Sequence, residues 1–252
     1  MNVFLTGASS GIGEALARHY AARGATLGLV ARRAEVLRGL QASLGTPCAI
    51  YPCDVRDLKA LKAAGDDFIA RHGIPDLVIA NAGISYGTWT DNARDVATFG
   101  EILDVNVLGL VNTFHPFVAA MRARGSGTLA GIASVAGLRG IPGASAYSAS
   151  KAAAIRYLEA LRVEMRATGV RVVTIAPGYI RTPMTAVNRY RMPFIIEADD
   201  AARRFARAIE RGTRYAVIPW PMAIVGRLLS MMPDALYDRL AARAGRKPRK
   251  PA

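Results

Sequence analysis

The stretch Val3-Phe4-Leu5-Thr6-Gly7-Ala8-Ser9-Ser10-Gly11-Ile12-Gly13-Glu14-Ala15-Leu16 decides the fold. An apolar run of strand length ends in a glycine-rich turn, and a helical pattern starts at once. Gly7 permits the tight turn, Gly11 lets backbone approach a pyrophosphate, and Gly13 allows helix and strand to pack closely. The helix start offers unpaired N–H groups and a positive dipole end to phosphates. Glycine-rich turns are common between strands and helices. This one follows the first strand, where a dinucleotide cradle is expected, with Thr6, Ser9, Ser10 and Ile12 completing it.

Outward from that turn the pattern repeats. Residues 3–6, 27–31, 49–51, 77–80, 128–133, 170–176 and 215–218 read as strands, nearly continuously apolar, as parallel strands covered on both faces should be. Helical patterns fill residues 11–23, 34–44, 58–71, 96–124, 148–168 and 199–211. Gly24, Gly73, Gly125 and Gly169 stand where helices should stop. The expected fold is α/β: a Rossmann-type doubly wound parallel sheet with helices on both faces.

Composition agrees with a globular chain. The 252 residues are 52% hydrophobic and 21% charged, which excludes disorder and collagen-like repeats, and two cysteines exclude a disulfide scaffold. Cys48 and Cys53 match no metal or redox spacing, and five residues of strand would send them to opposite faces. No metal is expected. No secretory signal is read before Gly7, and the longest apolar stretch, residues 218–233, is too short to span a bilayer, so a cytoplasmic setting is expected. The net charge is +14, from 33 basic residues of which 28 are arginine. With no recognition-helix, zinc or aromatic-basic motif, a nucleic-acid partner is not expected.

The end of the second strand decides the cofactor. A ribose 2′-hydroxyl is held by a carboxylate there, and a 2′-phosphate by positive charge. The chain has Ala31-Arg32-Arg33 and no acid, so NADP is expected, with Arg32 offering a guanidinium fork and Arg33 assisting or capping the next helix. Further on, Tyr147 and Lys151 lie one helical turn apart, and Ser134 ends the fifth strand at its carboxyl end. A phenol titrating near ~10 is a poor proton donor at neutrality. A neighbouring ammonium is expected to bring it down, while the serine hydroxyl holds the substrate oxygen.

With these residues together, the sequence resembles the short-chain dehydrogenase/reductase family, over roughly residues 2–218. Thr6, Gly7, Gly11 and Gly13 carry the resemblance, with Asp54-Val55, Asn81-Ala82-Gly83, Asn106, Ser134, Tyr147, Lys151 and Pro177-Gly178-x-Ile180-x-Thr182. The resemblance implies that Asp54 bonds the adenine and that Asn81 to Gly83 pass beside the cofactor ribose. It implies that Asn106 holds a water in a proton relay to Lys151, which also binds the nicotinamide ribose. Pro177 to Thr182 would contact the nicotinamide. It implies seven parallel strands in the order 3-2-1-4-5-6-7, a homodimer or homotetramer, and an oxidoreductase acting on a ketone or secondary alcohol. A departure is Ala80, where many members have a second asparagine. A non-catalytic NADP-sensing protein is the alternative, against which the intact Ser–Tyr–Lys set argues.

Three domain segments are expected: a catalytic domain over 1–219 with a mobile substrate loop at 179–196, an apolar helical extension over 220–243, and a flexible basic tail over 244–252. Tyr86, Trp89, Leu138, Ile141, Met184, Met192, Phe194 and Ile195 suit an apolar carbonyl substrate, or else ordinary packing. Arg181, Arg189 and Arg191 could receive an acidic one. The extension reads as a core or subunit contact, a lid, or a peripheral membrane contact made by Trp220 and its apolar stripe.

Overall fold

Nine strands and ten α-helices carry the described residues, 1–243 and 245–251 of a computed structural model; Ala244 and Ala252 of the tail lie outside them. The strands are β1 (Asn2–Thr6), β2 (Thr26–Ala31), β3 (Cys48–Pro52), β4 (Leu77–Ala80), β5 (Gly127–Ile132) and β6 (Val170–Pro177). After them come a short pair, β7 (Ile180–Arg181) and β8 (Ile196–Glu197), and then β9 (Tyr215–Ile218). Seven form one parallel sheet in the order β3-β2-β1-β4-β5-β6-β9. That is the expected order, with β9 as its seventh strand. The pair β7–β8 is a separate two-stranded sheet that the sequence did not announce.

Helices α1 (Gly11–Ala21) and α2 (Ala34–Leu44) cover one face, and α3 (Leu58–His72) the other. Next follow α4 (Ala93–Leu103), α5 (Gly109–Arg124), α6 (Ser145–Glu164), α7 (Pro183–Ala186) and α8 (Ala198–Glu210), then α9 (Pro221–Met231) and α10 (Asp234–Ala241). Alternate strand residues point to opposite faces, so the apolar strands feed two cores. Leu16, Tyr20, Leu37 and Phe205 close the first, from α1, α2 and α8; Phe68, Phe114, Phe117 and Leu158 close the second, from α3, α5 and α6. Each fully buried side chain of this size contributes about 1.5–3 kcal/mol. Cys48 packs against the first core and Cys53 against the second, so the sheet separates the two thiols.

The helix expected over 96–124 differs in detail. It runs from Ala93 to Arg124 with a π-helical turn, Asp104–Leu108, between α4 and α5. One extra residue per turn changes no hydrophobic period strongly enough to be read, and such turns gather at functional sites. This run is long and apolar enough to cross a membrane by length and composition, unlike the stretch singled out from the sequence. Here Phe114 and Phe117 are fully buried under the sheet.

The C-terminal segments differ more. The inner edge of α9 docks beside the site, Met222 against Gly178 and Gly226 against Leu138. Tyr237 of α10 donates to the Gly140 carbonyl, and Arg139 stacks 4.4 Å over its ring while pairing with Asp234 at 2.6 Å. The outer edge is bare: Trp220 is 69% and Met231 72% exposed, with Ile224, Leu228, Leu236 and Leu240 along the same stripe. The tail is not the free end expected from its charge. Its described residues fold back over the molecule: Gly87 N–H donates to the Pro248 carbonyl (2.7 Å), Arg249 grips Asp95 (2.9 Å) and Lys250 pairs with Glu101 (2.5 Å). The carboxylates that bind it lie about 150 residues away in sequence, which no local pattern exposes.

Candidate active site

At the carboxyl ends of β1, β4, β5 and β6 a cleft of about 350 Å³ opens, where an open parallel sheet places its ligands. The glycine-rich turn forms its floor. Gly7 takes φ +71°, and its N–H donates 2.9 Å to Val30, tying the turn to β2. A Cβ on Gly13 would collide with the Gly7 carbonyl, so only glycine lets α1 start this close to β1. Asn81 Nδ2 donates to the carbonyls of Thr6 (3.1 Å) and Gly7 (3.2 Å), locking the turn to the end of β4.

Most residues singled out for the cofactor line this cleft: Gly7, Ser9, Ser10, Gly11, Ile12, Gly13, Arg32, Arg33, Asp54, Val55, Asn81, Ala82, Gly83, Pro177, Gly178, Ile180 and Thr182. Thr6 does not. It is fully buried, and its hydroxyl accepts the N–H groups of Asn81 (3.3 Å) and Ala82 (3.4 Å), so it braces the cradle from behind. Cys53, Ile84, Val105, Ala133, Pro183, Met184 and Thr185 also line the cleft. Of these only Met184 was named from the sequence for the cleft, as a substrate contact; the others belong to no motif.

Beside the glycine-rich turn, Arg33 donates to the Ser9 carbonyl (3.0 Å) and hydroxyl (3.1 Å), so one of the two arginines is already anchored to the loop. Asp54 is clasped by Arg56, at 2.8 Å and 3.1 Å. That hydrogen bonding, with the nearby Arg32 charge adding to it, holds the Asp54 carboxyl below the usual carboxylate range. A dinucleotide fits this donor set: a turn whose side chains have been deleted where phosphates approach, a helix start, and guanidinium groups at the end of β2.

Ser134, Tyr147 and Lys151 converge on the same cleft. The Ser134 hydroxyl accepts the Ala136 N–H at 3.1 Å and donates to the Pro177 carbonyl at 3.5 Å. Lys151, 5% exposed, donates to the Ile132 carbonyl at 2.9 Å, and its Nζ stands 5.8 Å from the centre of the Tyr147 ring. The electrostatics differ from the expectation. Burial pushes the Tyr147 phenol up, opposed by the neighbouring Ser134 hydroxyl, and burial pushes Lys151 down to about 8. Desolvation, not charge pairing, sets the direction for both groups.

Asn106 is carried inward by the π-helical turn, but it does not border the cleft. Its Oδ1 accepts the Ile84 N–H (2.8 Å), and its Nδ2 donates to the Ile84 carbonyl (3.0 Å) and to Ser150 (2.9 Å). At 1% exposure its side chain fastens the strand exit after Gly83 rather than facing the cleft. The substrate loop is less free than expected. Ile180 and Arg181 pair with Ile196 and Glu197, and Arg181 is held by Glu197 at 2.7 Å, so it is not an open anion receptor.

Comparison with known proteins agrees with this geometry. The pattern of the short chain dehydrogenase family matches residues 1–192. An uncharacterized oxidoreductase of Myxococcus xanthus is 37% identical over 242 residues, covering 95% of each chain. The 11-beta-hydroxysteroid dehydrogenase-like protein 2 of Arabidopsis thaliana is 34% identical over 227 residues, 86% of this chain and 73% of that one. A crystal structure of a short-chain dehydrogenase from Streptomyces avermitilis superposes with a TM-score of 0.80 at 25% identity, covering 96% and 98% of the two chains.

Proposed function

Because this chain belongs to the short-chain dehydrogenase family, an oxidoreductase family that uses a nicotinamide cofactor, we propose that it is an NADPH-dependent carbonyl reductase. The observation that carries the reading is the convergence of Ser134, Tyr147 and Lys151 on the cleft floored by the glycine-rich turn. When bound, the cofactor supplies the hydride. Ser134 orients the substrate oxygen and Tyr147 gives it a proton, or takes one in the reverse oxidation. Lys151 holds positive charge beside the developing phenolate, and Asn106 acts by fixing the Ile84 segment; a relay water near them replenishes the proton. The preference for the 2′-phosphate rests on Arg32 and Arg33 lining the cleft with no carboxylate at the end of β2.

The substrate has an apolar body, since Ile84 and Met184 flank the catalytic groups, and the resemblance to a hydroxysteroid dehydrogenase-like protein supports this. The bare stripe of α9 and α10 is assigned to self-association, in a homodimer or homotetramer. Light scattering tests that, and co-sedimentation with anionic liposomes would make the stripe a peripheral membrane contact instead. A cytoplasmic setting is supported by two thiols that the sheet keeps apart.

The decisive experiment pairs titration with turnover. NADPH is expected to bind more tightly than NADH, and equal affinities overturn the cofactor preference. Tyr147→Phe is expected to bind NADPH unchanged while carbonyl reduction falls about 10²–10⁴-fold, the usual worth of a positioned acid. Unaltered turnover in that variant rejects the assigned chemistry.

A further inference from the structure

Two ammonium groups approach the phenol ring of Tyr147, and only one belongs to the constellation described above. Lys151 Nζ stands 5.8 Å from the ring centre, and Lys247 Nζ, from the folded-back tail, stands 6.0 Å from it. The backbone around Lys247 is firmly seated. Gly87 N–H holds the next carbonyl, that of Pro248, and a Cβ on Gly87 would collide with the Lys247 carbonyl. On either side Arg246 stacks 4.2 Å over Trp89 and Arg249 is clamped to Asp95 by two hydrogen bonds. The tail is thus a strap over the substrate side of the cleft, and it delivers one side chain inward.

Among the described residues Lys247 differs from Arg249 and Lys250 in having no carboxylate partner. Arg249 and Lys250 pair with Asp95 and Glu101, and Arg246 has an indole face. Among the described residues, Lys247 Nζ has only the Met184 carbonyl, at 3.4 Å, as acceptor, with N–H directions left over. Both groups it approaches, Tyr147 and Met184, line the cleft. A cation partly withdrawn from water and left without an anion is costly, and burial accordingly pushes this ammonium down to about 8. An anionic group entering beside Tyr147 would relieve that cost, and a charge-assisted hydrogen bond would then be stronger than a neutral one.

We propose that Lys247 determines specificity by binding an anionic group on the substrate, so that the preferred substrate is an oxo acid: a carbonyl compound carrying a carboxylate or similar anion a few bonds from the reacting carbon. This rests on the carbonyl-reductase reading of the same cleft and adds the second functional group of its substrate. Lys247 takes no part in proton or hydride transfer. It selects.

The test uses the full chain saturated with oxidised dinucleotide, so that binding is read without turnover. Calorimetry compares succinic and glutaric semialdehyde with butanal and pentanal, in the wild type, Lys247→Met and Lys247→Arg. The acids are expected to bind the wild type about tenfold more tightly than the neutral aldehydes, the worth of one charge-assisted hydrogen bond. Lys247→Met, which keeps the aliphatic stem in the strap, should lose that preference without changing affinity for the neutral pair or the dinucleotide. Lys247→Arg should keep most of it. A wild type without the preference, or a preference that survives in Lys247→Met, overturns the assignment. Lys247-dependent binding of the acids with no reduction of them by NADPH leaves the anion site standing and removes the carbonyl-reductase reading instead.

Discussion

The two sides of the cleft are built in opposite ways. On the cofactor side, the turn between β1 and α1 is made of neighbours in sequence and is held through its own backbone groups: Gly7 N–H on the Val30 carbonyl, and the Thr6 and Gly7 carbonyls on the Asn81 side chain at 3.1 Å and 3.2 Å. On the other side, the cleft residues Tyr147 and Met184 are overlain by a layer assembled from residues 87–95, 138–146 and 245–251, held by side-chain pairs such as Arg249–Asp95 and by single backbone bonds. Rigid backbone suits a ligand that never changes. Exchangeable side chains on a strap suit a ligand that distinguishes one enzyme from another.

That contrast can be broken in graded ways. Gly13→Val is expected to have the largest effect on the folded body, because the new side chain would meet the Gly7 carbonyl, which is backbone and cannot step aside. Overpacking of this kind costs about 1–3 kcal/mol, or a fall in Tm of roughly 2–4 °C for each kcal/mol in a domain of this size. Dinucleotide affinity should fall with it. Gly87→Ala sharpens the comparison from the other side. Its Cβ would meet the Lys247 carbonyl, but the strap can lift away, so Tm should move little while trypsin cuts faster after Arg246 and Arg249. Equal losses of Tm in the two variants would mean that the strap is part of the core after all.

The smallest effect is expected from acid. Asp95 is held below the usual carboxylate range, first by its hydrogen bonds from Arg249 and then by the Trp89 N–H. A depressed carboxylate contributes stability that is complete above its unfolded value and is lost as the pH falls through the folded one. The strap should therefore loosen below about pH 4, the ordinary carboxylate range. Hydrogen-exchange protection at the Gly87 amide should drop there, while protection at the Gly7 amide, bonded to Val30, should persist. Parallel loss at both amides would show one cooperative unit rather than a body and a strap.

Legibility followed the same division. The seven main-sheet strands and the glycine-rich turn were readable because each rests on short-range pattern: continuous apolar strands, helix stops at Gly24 and Gly125, and glycines where backbone must approach; the order of the strands in the sheet came only from the family resemblance. Nearly all the cofactor-side residues named from the sequence lie in the cleft for that reason. Thr6 and Asn106 were recognised as members of a motif, but their duty is to hold Asn81 and Ile84 from behind, and a motif does not say which way a side chain faces. The π-helical turn at 104–108 left no trace in the apolar period. The pairing of Arg181 with Glu197 likewise needed the β7–β8 register.

From the order of residues alone came the sheet, its helices on both faces, the dinucleotide cradle and the Ser134–Tyr147–Lys151 set, since those follow from periodicity and spacing within some tens of residues. Folding in three dimensions settled the rest: that Lys151 and Tyr147 are governed by desolvation, and that a basic tail folds back beside the cleft. Burial and long-range charge pairing depend on neighbours brought together by the whole chain, and one of those neighbours, Lys247, stands close to Tyr147 without any local pattern to announce it.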